Sequence, residues 1–144
     1  MMKPPRKRTR AREIAVQALY QHDALQRIGE PSADEIGRFI ARETSDPEIR
    51  EFAQELVRGA CESLADIDAL LAGVVEHWKV ERIAAMDRAI LRLAAFELNA
   101  RPDVPPKVSI NEAINLAKKF STAQSGAFVN GVLDKLLEIQ EKKE

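Results

Sequence analysis

Residues 86–98 read Met86-Asp87-Arg88-Ala89-Ile90-Leu91-Arg92-Leu93-Ala94-Ala95-Phe96-Glu97-Leu98. Met86, Ala89, Ile90, Leu93, Ala94 and Leu98 recur at intervals of three and four, which lays apolar side chains along one face of an α-helix. Glu97 falls on the same seam. A carboxylate there requires a cation or backbone donors, because an unpaired buried charge is strongly destabilising. The helix is predicted to stop before Arg101-Pro102, since a residue preceding proline avoids helical backbone. Residues 102–106 then form a stiff, proline-rich connector. Ser109 and Glu112 have capping-box spacing, with Ile110, Ala113, Ile114, Ala117 and Phe120 on the inner face that follows. A polar loop over residues 121–126 precedes a last helix, whose apolar face is Phe128, Val129, Val132, Leu133, Leu136 and Ile139.

The pattern continues upstream. His77 and Trp78 lie near a break at residues 75–79, and a short helix is expected over residues 80–85. Before it, Asp46 followed by Pro47 is an N-cap with proline in the first turn. That helix is read as one long element with Ile49, Phe52, Ala53, Leu56, Val57, Ala60, Leu64, Ile67, Leu71 and Val74 inward. Gly59 inside it lowers helix stability by about 1 kcal/mol against alanine, which points to a close helix crossing. Ser32 and Glu35 open a short second helix, with Ile36, Phe39 and Ile40 inward. The first helix runs from Arg8 towards Gly29 and Pro31, burying Ala11, Ile14, Ala15, Ala18, Leu19, His22 and Leu25. Six or seven helices and no strand result. The predicted class is all-α, with two stacked three-helix bundles at about residues 8–75 and 76–144 behind a mobile arm at residues 1–7.

The chain has 144 residues, 22 of them basic and 23 acidic, for a net charge of −1. Six of those basic residues (Lys3, Arg6, Lys7, Arg8, Arg10 and Arg12) and no acid fall in the first twelve, so this arm carries +6 and the rest of the chain −7. Such a basic arm on an acidic body suits a polyanionic partner. A single cysteine, Cys61, excludes an internal disulfide framework and a cysteine-cluster zinc site, and fits a reducing, cytoplasmic setting. No apolar run approaches the ~20 residues of a membrane span.

Catalytic chemistry is poorly stocked. His22 and His77 belong to no metal-binding pair, Cys61 has no marked activating partner, and no glycine loop of phosphate-cradling type occurs. No enzymatic activity, metal or cofactor is expected. Binding chemistry is richer. Arg8 and Arg12 stand one helical turn apart, and Val16 and Tyr20 continue their stripe outside the main buried face. Guanidiniums bind phosphate bidentately. Tyr20 is either a stacking platform for an unpaired base or a partly buried aromatic, and Phe128 carries the same two readings. Lys118 and Lys119 precede the polar loop, and the backbone N–H groups near Ser125, Gly126 and Ala127 suit a phosphate. Gln124, Ser125 and Asn130 are candidates for base edges. Stacking plus edge contacts fits single-stranded RNA better than duplex DNA. The competing reading is a helical protein-interaction adaptor whose basic arm docks on an acidic protein surface or an anionic membrane.

Three segments resemble one family in the right order. They are Arg10-Ala11-Arg12-Glu13 with Ala15-Val16-Gln17-Ala18-Leu19-Tyr20, then residues 87–98, then residues 104–114 with Phe128-Val129-Asn130-Gly131-Val132-Leu133-Asp134-Lys135. Together they resemble the bacterial transcription antitermination factor NusB family. The resemblance implies a two-bundle helical fold without enzymatic activity. It implies binding to single-stranded boxA RNA in nascent ribosomal transcripts together with the ribosomal protein NusE, alongside other Nus factors and RNA polymerase. The family's basic start falls on Arg6, Lys7, Arg8, Arg10 and Arg12, interrupted by Thr9. Its first-helix tyrosine falls on Tyr20 and its last-helix phenylalanine on Phe128. Gln124 is neutral at a loop position where an acid would repel RNA. The NusE face is expected near Asp87. Some members form homodimers that cover the RNA face, so self-association stays an open alternative. No membrane role is implied.

Overall fold

A computed structural model describes residues 6–27, 33–75 and 83–142. Among these, seven helices occur and no strand: α1 (Lys7–Arg27), α2 (Ala33–Glu43), α3 (Pro47–Glu62), α4 (Leu64–Ala72), α5 (Ala85–Ala100), α6 (Pro106–Phe120) and α7 (Ala123–Lys142). Residues 1–5 of the arm expected over residues 1–7, the turn at Gly29 and Pro31 with the Ser32 cap, and His77 and Trp78 lie outside the described residues, and Lys7 of that arm already belongs to α1. Of the expected short helix over residues 80–85, Ile83 and Ala84 are not helical and Ala85 is the first residue of α5. Among the described residues no helix is long and apolar enough to cross a membrane.

Helix α5 is more enclosed than its apolar pattern suggests. Every residue from Arg88 to Glu97 is buried, because α5 packs against α1, α3, α4, α6 and α7. A helix hydrophobic on one stripe can be buried all round only if its charged residues find partners. They do. Arg88 pairs with Asp23 of α1 and donates to the Ile83 carbonyl at 2.7 Å. Arg92 grips Asp68 of α4 through two bonds of 2.9 Å. Glu97 receives Arg12 of α1.

Around this axis α1, α2 and α3 form one bundle and α5, α6 and α7 the other, with α1 against α5 joining them. The long third helix is in fact two. It breaks at Ser63 (φ −103°, ψ 15°), and α4 turns to lie chiefly on α5. Asp46 caps α3 as expected, accepting from the Glu48 and Ile49 N–H groups ahead of Pro47. Gly59 is a close crossing, since a Cβ there would overlap the far edge of the Phe96 ring.

Two helix starts differ from the pattern. α6 begins at Pro106, where a proline in the first turn is already set for helix. Ser109 is therefore inside the helix, donating to Glu97 at 3.4 Å, and Glu112 accepts from Thr9 at 2.7 Å instead of closing a capping box. α7 begins at Ala123, three residues before the expected end of the loop, because Thr122 Oγ1 accepts the Ser125 N–H at 3.1 Å.

Candidate nucleic-acid interface

The basic end of α1 is built outward from a buried anchor. Arg12 is only 2% exposed. Its guanidinium forks onto Glu97 of α5, with Nη2 2.7 Å and Nε 3.0 Å from carboxylate oxygens, and lies 3.6 Å from Glu112 of α6. This corrects the expectation that Arg12 faces a phosphate. Ala11 to Val16 are all buried, because α1 is wedged between α3, α5 and α6. Val16, expected outside the buried face, lies inside it for the same reason. Arg12 and Glu97 answer each other's requirement for a counter-charge.

Among the described residues of the arm, Arg6, Lys7 and Arg8 are exposed. The Lys7 ammonium is 3.2 Å from Asp46 and 3.4 Å from Glu48. That hydrogen bond raises the Lys7 pKa above its usual value and lowers that of Asp46. Arg8 lies over the Phe52 ring, 4.4 Å from its centre and 3.7 Å from Asp103. Arg101 approaches the same ring at 5.2 Å. Lys7, Arg8, Phe52 and Arg101 line a cavity of about 340 Å³ together with Glu48, Glu51 and Glu55. Burial weighs on the Arg101 guanidinium, but its bonds to Asp103 and Glu55 outweigh it and leave its pKa raised.

Arg10 is half-buried, 3.2 Å from Glu13 and 3.7 Å from Glu43. The other oxygen of Glu13 accepts Lys119 from the end of α6 at 2.8 Å. Arg10 and Lys119, from distant parts of the chain, thus meet on one carboxylate. The stem of the exposed Lys118 lies against Gly126 of α7. Tyr20 and Phe128 are 43% and 39% exposed, so their rings are offered to solvent and neither is core filler. Gln124 and Asn130 are exposed as well.

Ser125 does not fit its expected role. It is buried, its Oγ bonds to Asp87 at 3.0 Å and approaches Ser121 at 2.9 Å, and its N–H is spent on Thr122. Gly126 and Ala127 lie within α7, past its first exposed N–H groups, so no phosphate cradle forms there. Asp87 accepts from Ser121 at 2.8 Å as well. Its carboxylate staples the start of α5 to the α6–α7 corner, which engages both oxygens within the chain.

His22 and Cys61 line a separate groove of about 380 Å³ with Ile36, Ile40 and Val57. Burial lowers the His22 pKa and raises that of the Cys61 thiol. A thiol held protonated is a poor nucleophile.

Sequence reasoning missed Glu13, Phe52 and Arg101. Glu13 carried one signal, its i, i+3 spacing from Arg10. The link from Glu13 to Lys119, 106 residues along the chain, had none.

The NusB family profile matches residues 9–138. A transcription antitermination protein NusB from Anaeromyxobacter sp. (strain Fw109-5) is 50% identical over 131 residues, covering 90% of this chain and 89% of the relative. The solved NusB of T. maritima superposes with a TM-score of 0.76 at 36% identity, covering 95% of this chain and 93% of that one. A crystal structure of the antitermination factors NusB and NusE in complex with dsRNA aligns with a TM-score of 0.78 at 25% identity, over 96% and 99% of the two chains.

Proposed function

This chain belongs to the NusB family, and from that premise we propose that it is an RNA-binding transcription antitermination factor working with NusE. The observation that carries the proposal is the meeting of Arg10 and Lys119 on Glu13, beside the exposed cations Arg6, Lys7 and Arg8 and on the same helix as the exposed ring of Tyr20. Lys7 and Arg8 are held by exposed or half-exposed carboxylates. Such pairs contribute about 0–1 kcal/mol, so RNA phosphates displace them at little expense. Tyr20 and Phe128 supply stacking faces for bases, and Gln124 and Asn130 supply edge contacts.

The RNA we assign is an unpaired boxA-type segment of a nascent transcript. A solved NusB–NusE assembly is described with dsRNA, so duplex RNA is the form against which the assignment is tested. The NusE face is proposed at the Asp87 end of α5, with Asp87 acting through the corner it holds. The other Nus factors and RNA polymerase complete the proposed assembly. The role is one of binding without catalysis, in the cytoplasm.

Titration with a short pyrimidine-rich single-stranded RNA, a scrambled strand, a duplex and anionic vesicles tests the reading. Each arm is run with and without NusE, and particle mass is recorded. Preference for the pyrimidine-rich strand, strengthened by NusE, is expected. Equal binding to vesicles and to all RNAs would favour the adaptor reading.

A further inference from the structure

Glu13 is an acid in the middle of a surface that selects anions. Charge alone makes it a liability, repelling the phosphates that Arg10 and Lys119 attract. Its geometry says otherwise. Glu13 is 6% exposed. Each of its oxygens takes one cation, Oε1 from Arg10 Nη1 at 3.2 Å and Oε2 from Lys119 Nζ at 2.8 Å. An ammonium has three donors and a guanidinium five, so each cation keeps most of its N–H groups for an incoming strand. The Lys119 side chain remains 54% exposed. Arg10 belongs to α1 and Lys119 to the last turn of α6, and the inward carboxylate holds long, rotamer-rich side chains from two helices side by side. Ordering such side chains only on binding would cost affinity.

We propose that Glu13 is a positioning residue for RNA binding, which fixes the spacing of the Arg10 and Lys119 charges so that they engage neighbouring phosphates together. The inference rests on the RNA-binding reading above and adds the residue that organises it.

Two variants separate positioning from charge. Glu13→Gln removes the negative charge with the shape unchanged, and Glu13→Asp keeps the charge but withdraws it by one methylene. If Glu13 positions, both weaken RNA binding, Glu13→Gln by about tenfold. Lys119→Ala then costs clearly less affinity in the Glu13→Gln background than in the parent, because the two residues act as one unit. Thermal unfolding is followed on every variant, so that affinities are compared only between folded proteins. Glu13→Asp retains the buried charge and its cations, which keeps one arm available should Glu13→Gln fail to fold. Tighter or unchanged binding by Glu13→Gln, unchanged binding by Glu13→Asp, or full additivity with Lys119→Ala overturns the proposal. A parent protein that binds no RNA overturns the function and this role together, an outcome distinct from the other three.

Discussion

Arg12 shows how a single residue can look like a ligand contact and be a structural anchor. It sits in a run of basic residues, yet its guanidinium is enclosed and forked onto Glu97. Removing one partner of a buried pair leaves the other charge stranded, so Arg12→Ala should lower unfolding free energy by about 3–5 kcal/mol. Denaturant titration checks this. Arg8→Ala should leave stability within about 1 kcal/mol, since its carboxylate partner is exposed. The need for a cation at Glu97 was legible in the sequence, and so was the arginine run. Their pairing was not, because 85 residues separate them and helical period alone does not say which helix lies opposite. Tyr20 makes the opposite prediction. Tyr20→Ala should weaken RNA binding by about 1–3 kcal/mol if the ring stacks on a base, while the melting temperature stays near that of the parent. A large loss of stability with intact binding would assign the ring to packing. His22 adds a pH dependence. Burial, the largest influence, lowers its pKa below 6.5, with Asp23 opposing and Arg92 reinforcing the shift. The unfolded chain therefore takes up the proton first as pH falls, so stability declines below about pH 6.5. His22→Gln should flatten that decline in melts recorded between pH 5 and 7.

At the scale of elements, the crossing of α3 over α5 depends on what Gly59 lacks. Alanine there gains helix propensity of about 1 kcal/mol. It also forces a methyl group into the Phe96 ring, and overpacking of that kind costs about 1–3 kcal/mol. Net destabilisation is expected for Gly59→Ala, with Phe96→Leu as the compensating change; a more stable Gly59→Ala variant would refute the packing argument. This glycine was readable because a costly residue in a helix interior needs a reason. The start of α6 was misread because Ser109 and Glu112 satisfy a local motif while Pro106 satisfies a stronger one earlier. Both residues were then free to serve a buried network with Arg12, Glu97 and Thr9. The enclosure of α5 was hidden by Arg88 and Arg92, which in a linear pattern mark a solvent face. Only tertiary pairing with Asp23 and Asp68 reveals them as interior residues.

At the scale of the molecule, five cations among the described residues are proposed phosphate contacts once Arg12 is set aside: Arg6, Lys7, Arg8, Arg10 and Lys119. A single strand contacting all five should give a log K against log salt slope of about −3.5. Substituting Arg8 and Arg10 together should flatten that slope by roughly 1.4 while leaving the helical circular dichroism unchanged. An unaltered slope would place the strand elsewhere on the protein.

Asp46, Glu48, Glu43 and Asp103 also give this surface resident counter-anions. A solitary phosphate gains little by evicting one of them, for it exchanges one anion for another. A strand arriving with several phosphates in register evicts them in succession, each step made intramolecular by the one before. The acids are therefore expected to filter ligands by valency, so that mononucleotides should compete poorly against an RNA strand in a displacement titration.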